Sequence, residues 1–258
     1  MTSRRATWAR NNVLRVRGRT LTLIRAGTGW DPVTRRRMAG AADWVRLGSA
    51  SCGWLVPADW EVEAPVCVCV GAGEDISFDV ALADTRGAQV FILDPTPRAV
   101  AHVAAALSGR DDIAFRPWAV WSEDTEVELY EPANPSHVSH SIVNLQSTAR
   151  SFVAPARTIA TVMSEFSLNH VDLLKLDIEG AEYAVIQAVL DSKADVGIIN
   201  VEFDEITVPS RGAWTRIRSC VDQLARAGFN LAAIDSVSNY TFVQTDYAST
   251  AVRSAHAS

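Results

Sequence analysis

The stretch that decides the fold reads Val66-Cys67-Val68-Cys69-Val70-Gly71-Ala72-Gly73-Glu74-Asp75. Its first five residues are apolar and predict a short buried strand, and the glycines that follow allow the backbone to turn tightly. Residues 76–84 are amphipathic with helical spacing, and residues 89–93 form another apolar run. A strand, a helix and a second strand in this order predict a β-α-β unit with parallel strands.

The same alternation continues toward the C-terminus. It predicts helices at residues 98–107, 181–190 and 211–227, strands at residues 113–116, 171–176 and 196–202, and a polar β excursion or lid at residues 122–150. Such alternation is typical of a mostly parallel sheet covered on both faces. Two last strand-like runs, 231–235 and 240–244, are joined by only four residues, and so short a link requires an antiparallel pair.

The regular pattern begins at residue 65, which sets the predicted boundaries. Residues 65–250 are predicted to form one α/β domain, residues 1–64 a basic N-terminal extension or cap with a strand candidate at 19–25, and residues 251–258 a flexible tail. Hydrophobic residues make up 48% of the chain and charged residues 21%, which is typical of a globular protein.

Charge is distributed unevenly along the chain. Residues 1–46 hold eleven arginines against Asp31 and Asp43, so this part carries +9 and the remainder −15 of the formal net charge of −6. Such a basic segment is able to bind an acidic substrate, a nucleic acid or an anionic surface. It is equally able to stay solvated or to dock on the acidic remainder of the chain. We favour solvation or self-docking and expect no nucleic-acid partner. The basic residues are almost all arginine, a bias typical of bacterial genomes rich in GC.

The sequence carries no signal for a membrane or an oxidising compartment. No apolar run reaches the roughly 20 residues that a membrane-spanning helix needs. The first residues, Met1-Thr2-Ser3-Arg4-Arg5, lack the apolar stretch of a secretory signal. The four cysteines lack the paired spacing of a zinc site and the density of a disulfide scaffold. We therefore expect a cytoplasmic protein, for which a homo-oligomer is compatible with the sequence.

A nucleoside site is predicted where the first two strands of the unit end. The backbone of Gly71, Ala72 and Gly73 is able to approach a ligand closely, and the following helix offers free N–H groups. Asp94 ends the next strand 21 residues after Gly73, where a carboxylate accepts hydrogen bonds from ribose hydroxyls. These two features together predict a nucleoside ligand, whereas the glycines alone would be weak evidence.

The ligand predicted here is not a dinucleotide. Ile76 stands where the third glycine of a dinucleotide fingerprint would lie, and the acidic Glu74 and Asp75 disfavour a pyrophosphate. The same acids tolerate the sulfonium and amino charges of S-adenosylmethionine. Trp118 and Ala119 follow the third strand, where an adenine would lie, although core packing is an equally good interpretation of the tryptophan.

Charged residues crowd the end of the strand predicted at 171–176. Lys175, Asp177, Glu179 and Glu182 follow one another there, and charges are costly in a buried position unless they are paired or functional. A structural alternative is that Lys175 pairs with Asp177 or Glu179, and that Glu182 favours the N-terminus of the next helix. We interpret Asp177 as functional and leave both interpretations of Glu182 open.

The sequence resembles the FkbM family of S-adenosylmethionine-dependent methyltransferases. The resemblance rests on residues 70–79, 94–97, 132–141, 172–182 and 201–203, with the run Leu174-Lys175-Leu176-Asp177-Ile178-Glu179-Gly180-Ala181-Glu182 as its most specific part. It implies a class I methyltransferase Rossmann-like fold, with a mostly parallel seven-stranded sheet and an antiparallel C-terminal hairpin. It also implies S-adenosylmethionine as donor and O-methylation of a sugar, natural-product or other small-molecule hydroxyl.

The resemblance assigns residues to the donor site, with one departure elsewhere. The implied cofactor-binding residues are Gly71, Ala72, Gly73, Glu74, Asp94, Pro95, Trp118 and Ala119. Members of the family often carry a histidine after the Glu-Phe pair, where this chain has Asp204.

Methyl transfer requires an aligned acceptor oxygen and a group that removes its proton. Asp177 is our first candidate for the base or orienting group and Glu179 the second, and His140 or His137 from the polar excursion would close over the acceptor. Asp177, Glu202 and Asp204 end neighbouring strands and would offer oxygen ligands to Mg²⁺, although Glu202 and Asp204 serve equally well as local caps or pairs.

Two other functions remain compatible with the sequence. One is an NAD-dependent oxidoreductase or epimerase on a similar fold, against which the altered glycine pattern and the antiparallel ending count. The other is a non-catalytic partner module with a methyltransferase fold, against which the presence of Asp94, Asp177 and Glu179 counts.

Overall fold

The computed structural model describes residues 43–134, 138–144, 146–206, 212–235 and 238–251. The strand candidate at 19–25 and His137 lie outside these residues, as do positions 252–258 of the predicted tail. Ala251, the first residue of that tail, is a buried part of the last helix.

A seven-stranded sheet forms the centre of the molecule. Its strands are β3 (Val66–Val70), β4 (Gln89–Leu93), β5 (Ile113–Arg116), β9 (Val171–Leu176), β10 (Val196–Glu202), β11 (Phe229–Asp235) and β12 (Asn239–Gln244). The strand order is β11-β12-β10-β9-β3-β4-β5, and β12 pairs antiparallel with both of its neighbours. The other pairs are parallel, so the predicted class I methyltransferase topology with its antiparallel C-terminal hairpin is confirmed.

Six helices of the described part of the chain lie between or after these strands. They are α1 (Ser77–Arg86), α2 (Pro97–Ala106), α3 (Ile159–Glu165), α4 (Glu182–Ser192), α5 (Ala213–Arg226) and α6 (Thr245–Ala251). A short 3₁₀ turn, Asp204–Ile206, follows β10. In the part of the chain that is described, no helix is long and apolar enough to cross a membrane.

The core lies on both faces of the central sheet. Strand β9 is buried along its whole length, which explains why its sequence is apolar except for Asp172 and Lys175. On one face, Ile217, Val221 and Leu224 of α5 pack against the strands, because their spacing places them on a single side of the helix.

Two smaller β units accompany the central sheet, and the sequence predicted only the second, as a β excursion or lid at residues 122–150. Strands β1 (Trp44–Leu47) and β2 (Trp54–Pro57) form an antiparallel hairpin, and strands β6 (Ala119–Val120), β7 (Thr125–Tyr130) and β8 (Ser151–Arg157) form a three-stranded sheet. The hairpin buries Trp54 and Val56 in the core that also contains residues of β3 and β4. Residues 44–57, which the sequence assigned to the N-terminal extension or cap, therefore pack against the core of the domain. The three-stranded sheet spans the predicted β excursion.

Candidate active site

A cavity of about 330 Å³ opens at the carboxyl ends of β3, β4 and β9. This is where ligands of open α/β sheets bind, because the strand order reverses there and leaves a crevice. Within the described part of the chain its lining includes the glycine loop after β3, Asp94 after β4 and Asp177 after β9. These three segments are far apart in sequence and are brought together by the parallel pairing of their strands.

Gly71 is required by a close approach of two backbones. Its φ is +87°, and a Cβ added there would lie 2.0 Å from the main-chain oxygen of Asp177. Any side chain would therefore clash with Asp177 or push the two loops apart. The glycine loop and Asp177 thus share one wall of the cavity.

Asp94 fixes the shape of the glycine loop. Its Oδ2 accepts hydrogen bonds from the backbone N–H groups of Ala72 at 2.9 Å and Gly73 at 3.0 Å. Its Oδ1 accepts from the Thr96 backbone N–H at 2.8 Å and the Thr96 hydroxyl at 2.7 Å. A carboxylate has about four acceptor positions, so the chain already uses them all. The predicted contact of Asp94 with a ribose hydroxyl stays a prediction, and it would require the Thr96 hydroxyl to turn away.

The other predicted donor-site residues also line the cavity. Pro95 and Ala119 are among them, together with Glu74 and Trp118. The Glu74 carboxylate accepts hydrogen bonds from Arg98 in an exposed ion pair, which contributes little to stability. Trp118 packs against the core, and the Arg157 guanidinium lies 5.5 Å from its ring centroid. Trp118 therefore both lines the cavity and packs against the core.

Lys175 lies beneath the glycine loop and pairs with Asp177. Its Nζ is 3.6 Å from Asp177 Oδ2 and donates a 2.5 Å hydrogen bond to the Gly71 main-chain oxygen. Lys175 therefore forms the pair with Asp177 that the structural interpretation of the sequence predicted. The partner carboxylate still lines the cavity, so the pair belongs to the site rather than to a separate structural network.

Glu179 is held by residues 138–142, a segment that lines the cavity and is called the covering segment below. It has a positive φ of 52°, which is unusual for a residue other than glycine. The Ser141 hydroxyl donates a 2.6 Å hydrogen bond to its main-chain oxygen, and the Ser139 hydroxyl bonds to its carboxylate. Burial raises the pKa of Glu179, while the bond from Ser139 lowers it in part.

His140 lines the cavity with a defined ring orientation. Its Nδ1 lies 2.7 Å from the main-chain oxygen of Val138, and its ring makes an edge contact with Phe152. Because a carbonyl oxygen only accepts, Nδ1 carries the proton and donates, and Nε2 is left as the acceptor nitrogen in the neutral ring.

Three further carboxyl groups lie behind the cavity wall. Glu182 is fully buried and is the first residue of α4. Its carboxylate accepts a 2.8 Å hydrogen bond from the Gly180 N–H. Glu182 therefore has the structural role at a helix N-terminus that the sequence allowed. Burial raises its pKa to about 7, and a side-chain hydrogen bond with Asp204 acts in the opposite sense. Burial and the charge of Asp177 raise the pKa of Glu202 to about 7. Burial also raises the pKa of Asp204 strongly.

The described residues do not assemble the predicted Mg²⁺ site. Among them, no three carboxylate, histidine or cysteine side chains converge in a way that would hold a metal ion. Asp177 faces Lys175, Glu202 accepts a hydrogen bond from Ser238, and Asp204 bonds to Glu182. Each of the three proposed ligands therefore contacts a different residue.

Several lining residues could not be identified from the sequence. Ser51 and Cys52 come from the turn between β1 and β2, while Leu129, Val138 and Ile142 come from the three-stranded sheet and the segment after it. Only Val138 belongs to a segment that carries the family resemblance, and no chemistry was assigned to it. Ser49 Oγ donates a 2.7 Å hydrogen bond to Asp75, which is what brings the hairpin turn to the cavity.

The family model described as "Methyltransferase FkbM domain" matches residues 70–231, which is more than half of the chain. No curated protein sequence matches the chain significantly.

Several solved structures resemble the chain at low sequence identity. The fibrillarin pre-rRNA processing protein of Methanococcus jannaschii is 12% identical with a TM-score of 0.43, covering 71% of this chain and 67% of its own. The METTL16 methyltransferase domain is 10% identical with a TM-score of 0.42, covering 72% and 61%. The bifunctional kinase-methyltransferase WbdD is 14% identical with a TM-score of 0.40, covering 70% and 35%.

Proposed function

This chain belongs to the FkbM methyltransferase domain family, and we propose that it transfers the methyl group of S-adenosylmethionine to a hydroxyl oxygen of a small-molecule or sugar acceptor. The observation that carries this proposal is the shared wall of the cavity. Gly71 of the donor loop and Asp177 on the acceptor side touch through their backbones, so a donor and an acceptor in one cavity would lie side by side.

The charge of the cavity favours a cationic donor. Its described lining contains five carboxylates, Glu74, Asp75, Asp94, Asp177 and Glu179, against Lys175 and His140 as basic residues. A pyrophosphate would be repelled there, whereas a sulfonium and an ammonium would be attracted. Ile76, at the position of the third glycine of a dinucleotide site, is 4% exposed and packs into the core, which also counts against NAD.

The residues present fit S-adenosylmethionine. The loop Gly71 to Gly73 has no side chain larger than a methyl group, and Asp94 holds it in place from below. Trp118, Ala119 and Pro95 give the same end of the cavity an apolar surface for an adenine. When bound, this donor supplies an electrophilic methyl group on a positively charged sulfur.

In this proposal Asp177 orients the acceptor and His140 removes its proton. Asp177 accepts a hydrogen bond from another polar hydrogen of the acceptor, next to the hydroxyl that reacts, and so orients the reacting oxygen. His140 Nε2 removes the hydroxyl proton, because its lone pair is free once Nδ1 donates to Val138. Glu179 holds the covering segment through Ser139 and Ser141. No step is assigned to Mg²⁺, since the carboxylates expected to bind it are turned to other partners.

Calorimetry tests the donor. We expect S-adenosylmethionine and its demethylated product to bind the full chain and NAD not to bind. Asp94→Asn replaces one acceptor oxygen by a donor facing the N–H groups of the loop, so it should weaken donor binding by roughly tenfold or more. Asp177→Asn should leave donor binding within about twofold, because it keeps the shape of the side chain.

Transfer is tested with S-adenosylmethionine labelled in its methyl group. The full chain is incubated with panels of sugars, phenols and other hydroxyl-bearing small molecules, and the label is followed into the organic products. Asp177→Asn and His140→Gln are expected to abolish labelling that the unaltered chain performs. NAD binding in place of S-adenosylmethionine would refute the proposal, and donor binding without labelling of any acceptor would favour a non-catalytic module.

A further inference from the structure

Lys175 is a buried cation that contacts residues on both sides of the cavity. It is 5% exposed, and it is contributed by the central strand β9. Its Nζ donates to the Gly71 main-chain oxygen and lies 3.6 Å from the Asp177 carboxylate. The two partners are the turn of the donor loop and the residue assigned to the acceptor, so one ammonium group touches both halves of the proposed reaction site.

Further groups surround Lys175 and exclude water. The Nζ lies 5.7 Å from the centroid of the Trp54 ring, which belongs to the β1–β2 hairpin. Asp79 of α1 is 2% exposed and interacts electrostatically with Lys175. Burial lowers the pKa of Lys175, but the charges of Asp177 and Asp79 outweigh it, and the pKa is raised overall. The lysine is therefore charged at neutral pH.

We propose that Lys175 is a positioning residue for methyl transfer, which sets the Gly71 carbonyl and the Asp177 carboxylate relative to each other. This inference rests on the proposed function. A lysine donates along three directions, and here the Gly71 oxygen takes one of them while the Asp177 carboxylate is attracted from the other side. With the ammonium gone, the Gly71 oxygen and the Asp177 carboxylate would face each other, and their repulsion would separate the donor loop from the acceptor side.

A simpler role for Lys175 is to neutralise buried Asp79. In that case its loss would be harmful only because it leaves an unpaired buried charge, which is strongly destabilising. The two roles are separable, because Asp79 is not among the residues that line the cavity and can be neutralised as Asp79→Asn. Asp79→Asn alone is the matched control and should retain the activity of the unaltered chain.

The test compares Lys175→Met with the pair Asp79→Asn and Lys175→Met. We expect the single variant to lose both thermal stability and transfer. The pair should recover most of the lost stability, because no unpaired charge is left at Asp79. It should still transfer methyl groups more slowly, on the order of tenfold to a hundredfold in kcat/KM, as expected for misplaced reacting groups. Calorimetry should show weaker binding of S-adenosylmethionine by the pair, because the Gly71 carbonyl is no longer held.

Recovery of both stability and kcat/KM by the pair would overturn the inference and assign Lys175 to the neutralisation of Asp79. If the pair does not fold, Asp79→Asn with Lys175→Gln replaces it, since glutamine keeps a hydrogen-bond donor without the charge; full transfer by that pair would overturn the inference equally. Failure of the proposed function is recognised separately, because the unaltered chain would then not bind S-adenosylmethionine, and the role of Lys175 would fall with it.

Discussion

The Ser141 hydroxyl donates a 2.6 Å hydrogen bond to the main-chain oxygen of Glu179. This bond joins the segment that covers the cavity to the loop after β9. Ser141 also pairs with Tyr130 at the end of β7, so the covering segment is anchored to the three-stranded sheet at one side and to the acceptor side at the other. The position of the cover therefore depends on the loop that carries the reacting groups.

We expect Ser141→Ala to weaken the attachment of the covering segment to the loop after β9, because it removes the hydrogen bond to Glu179. The loss of one hydrogen bond of about 0.5–1.5 kcal/mol should raise KM for the acceptor by roughly two- to tenfold. Binding of S-adenosylmethionine should not change, since Ser141 does not line the donor end. Ser151→Ala is the matched control, because its hydroxyl bonds to exposed Glu128 on the same small sheet. Equal kinetics of the two variants would contradict the role given to Ser141.

Gly71→Ala should prevent donor binding. Its Cβ would lie 2.0 Å from the Asp177 oxygen at a φ of +87°. Gly109→Ala is the control, because Gly109 has a similar φ of +82° but no atom within 4 Å of the added Cβ. The control should lose only the roughly 1 kcal/mol of a left-handed residue. Calorimetry and thermal unfolding of both variants separate the clash from the backbone cost, and donor binding by Gly71→Ala would contradict the prediction.

The stability of the protein should fall as the pH rises through about 7, because burial raises the pKa of Glu182 to about 7. The folded state holds the proton that the unfolded state releases near its ordinary value of 4.5. The stabilisation is thus complete below 4.5 and is lost as Glu182 ionises in the folded protein. Urea unfolding between pH 5 and pH 8.5 measures this effect. Glu182→Gln should flatten the slope, and an unchanged slope would show that Glu182 is not protonated in the folded state.

At the opposite end of the sheet, Asp172 should govern stability in acid. Burial opposes its ionisation, but hydrogen bonds from His170, the Val66 N–H and the Tyr247 hydroxyl outweigh it and lower the pKa. Its stabilisation is present above the ordinary value of 3.8 and is lost as the pH falls through the lower folded value. Asp172→Asn should therefore remove part of the acid limb of unfolding between pH 2 and pH 4. An acid limb identical to that of the unaltered chain would contradict this prediction.

His170 gives an independent check at the same cluster. Its hydrogen bond to Asp172 raises its pKa, although burial acts against this, and Asp195 lies 3.0 Å from its other ring nitrogen. The stabilisation is complete below the ordinary value of 6.5 and declines as the pH rises through the folded value. We expect His170→Asn to cost stability at pH 5.5 and little at pH 9. Proton NMR titration of the ring would contradict this if the pKa were at or below 6.5.

Some secondary-structure elements could be predicted from the sequence and others could not, and the reasons are physical. Strands β9 and β10 were predicted at their observed bounds, because buried parallel strands are continuous apolar runs. The β1–β2 hairpin was missed, since its four-residue strands carry no distinctive pattern and are fixed by the burial of Trp54. Helix α3 was also missed, because seven residues are too few to show a helical period.

The sequence by itself determined the strands of the central sheet, the glycine turn and the acidic run after β9, because each depends on neighbouring residues. Only the tertiary structure decided the partners of the charged groups. Asp94 supports the glycine loop, Lys175 joins Gly71 to Asp177, and Asp204 turns to Glu182. These contacts join residues from different strands, and their distances depend on strand register and loop packing, which no local pattern specifies.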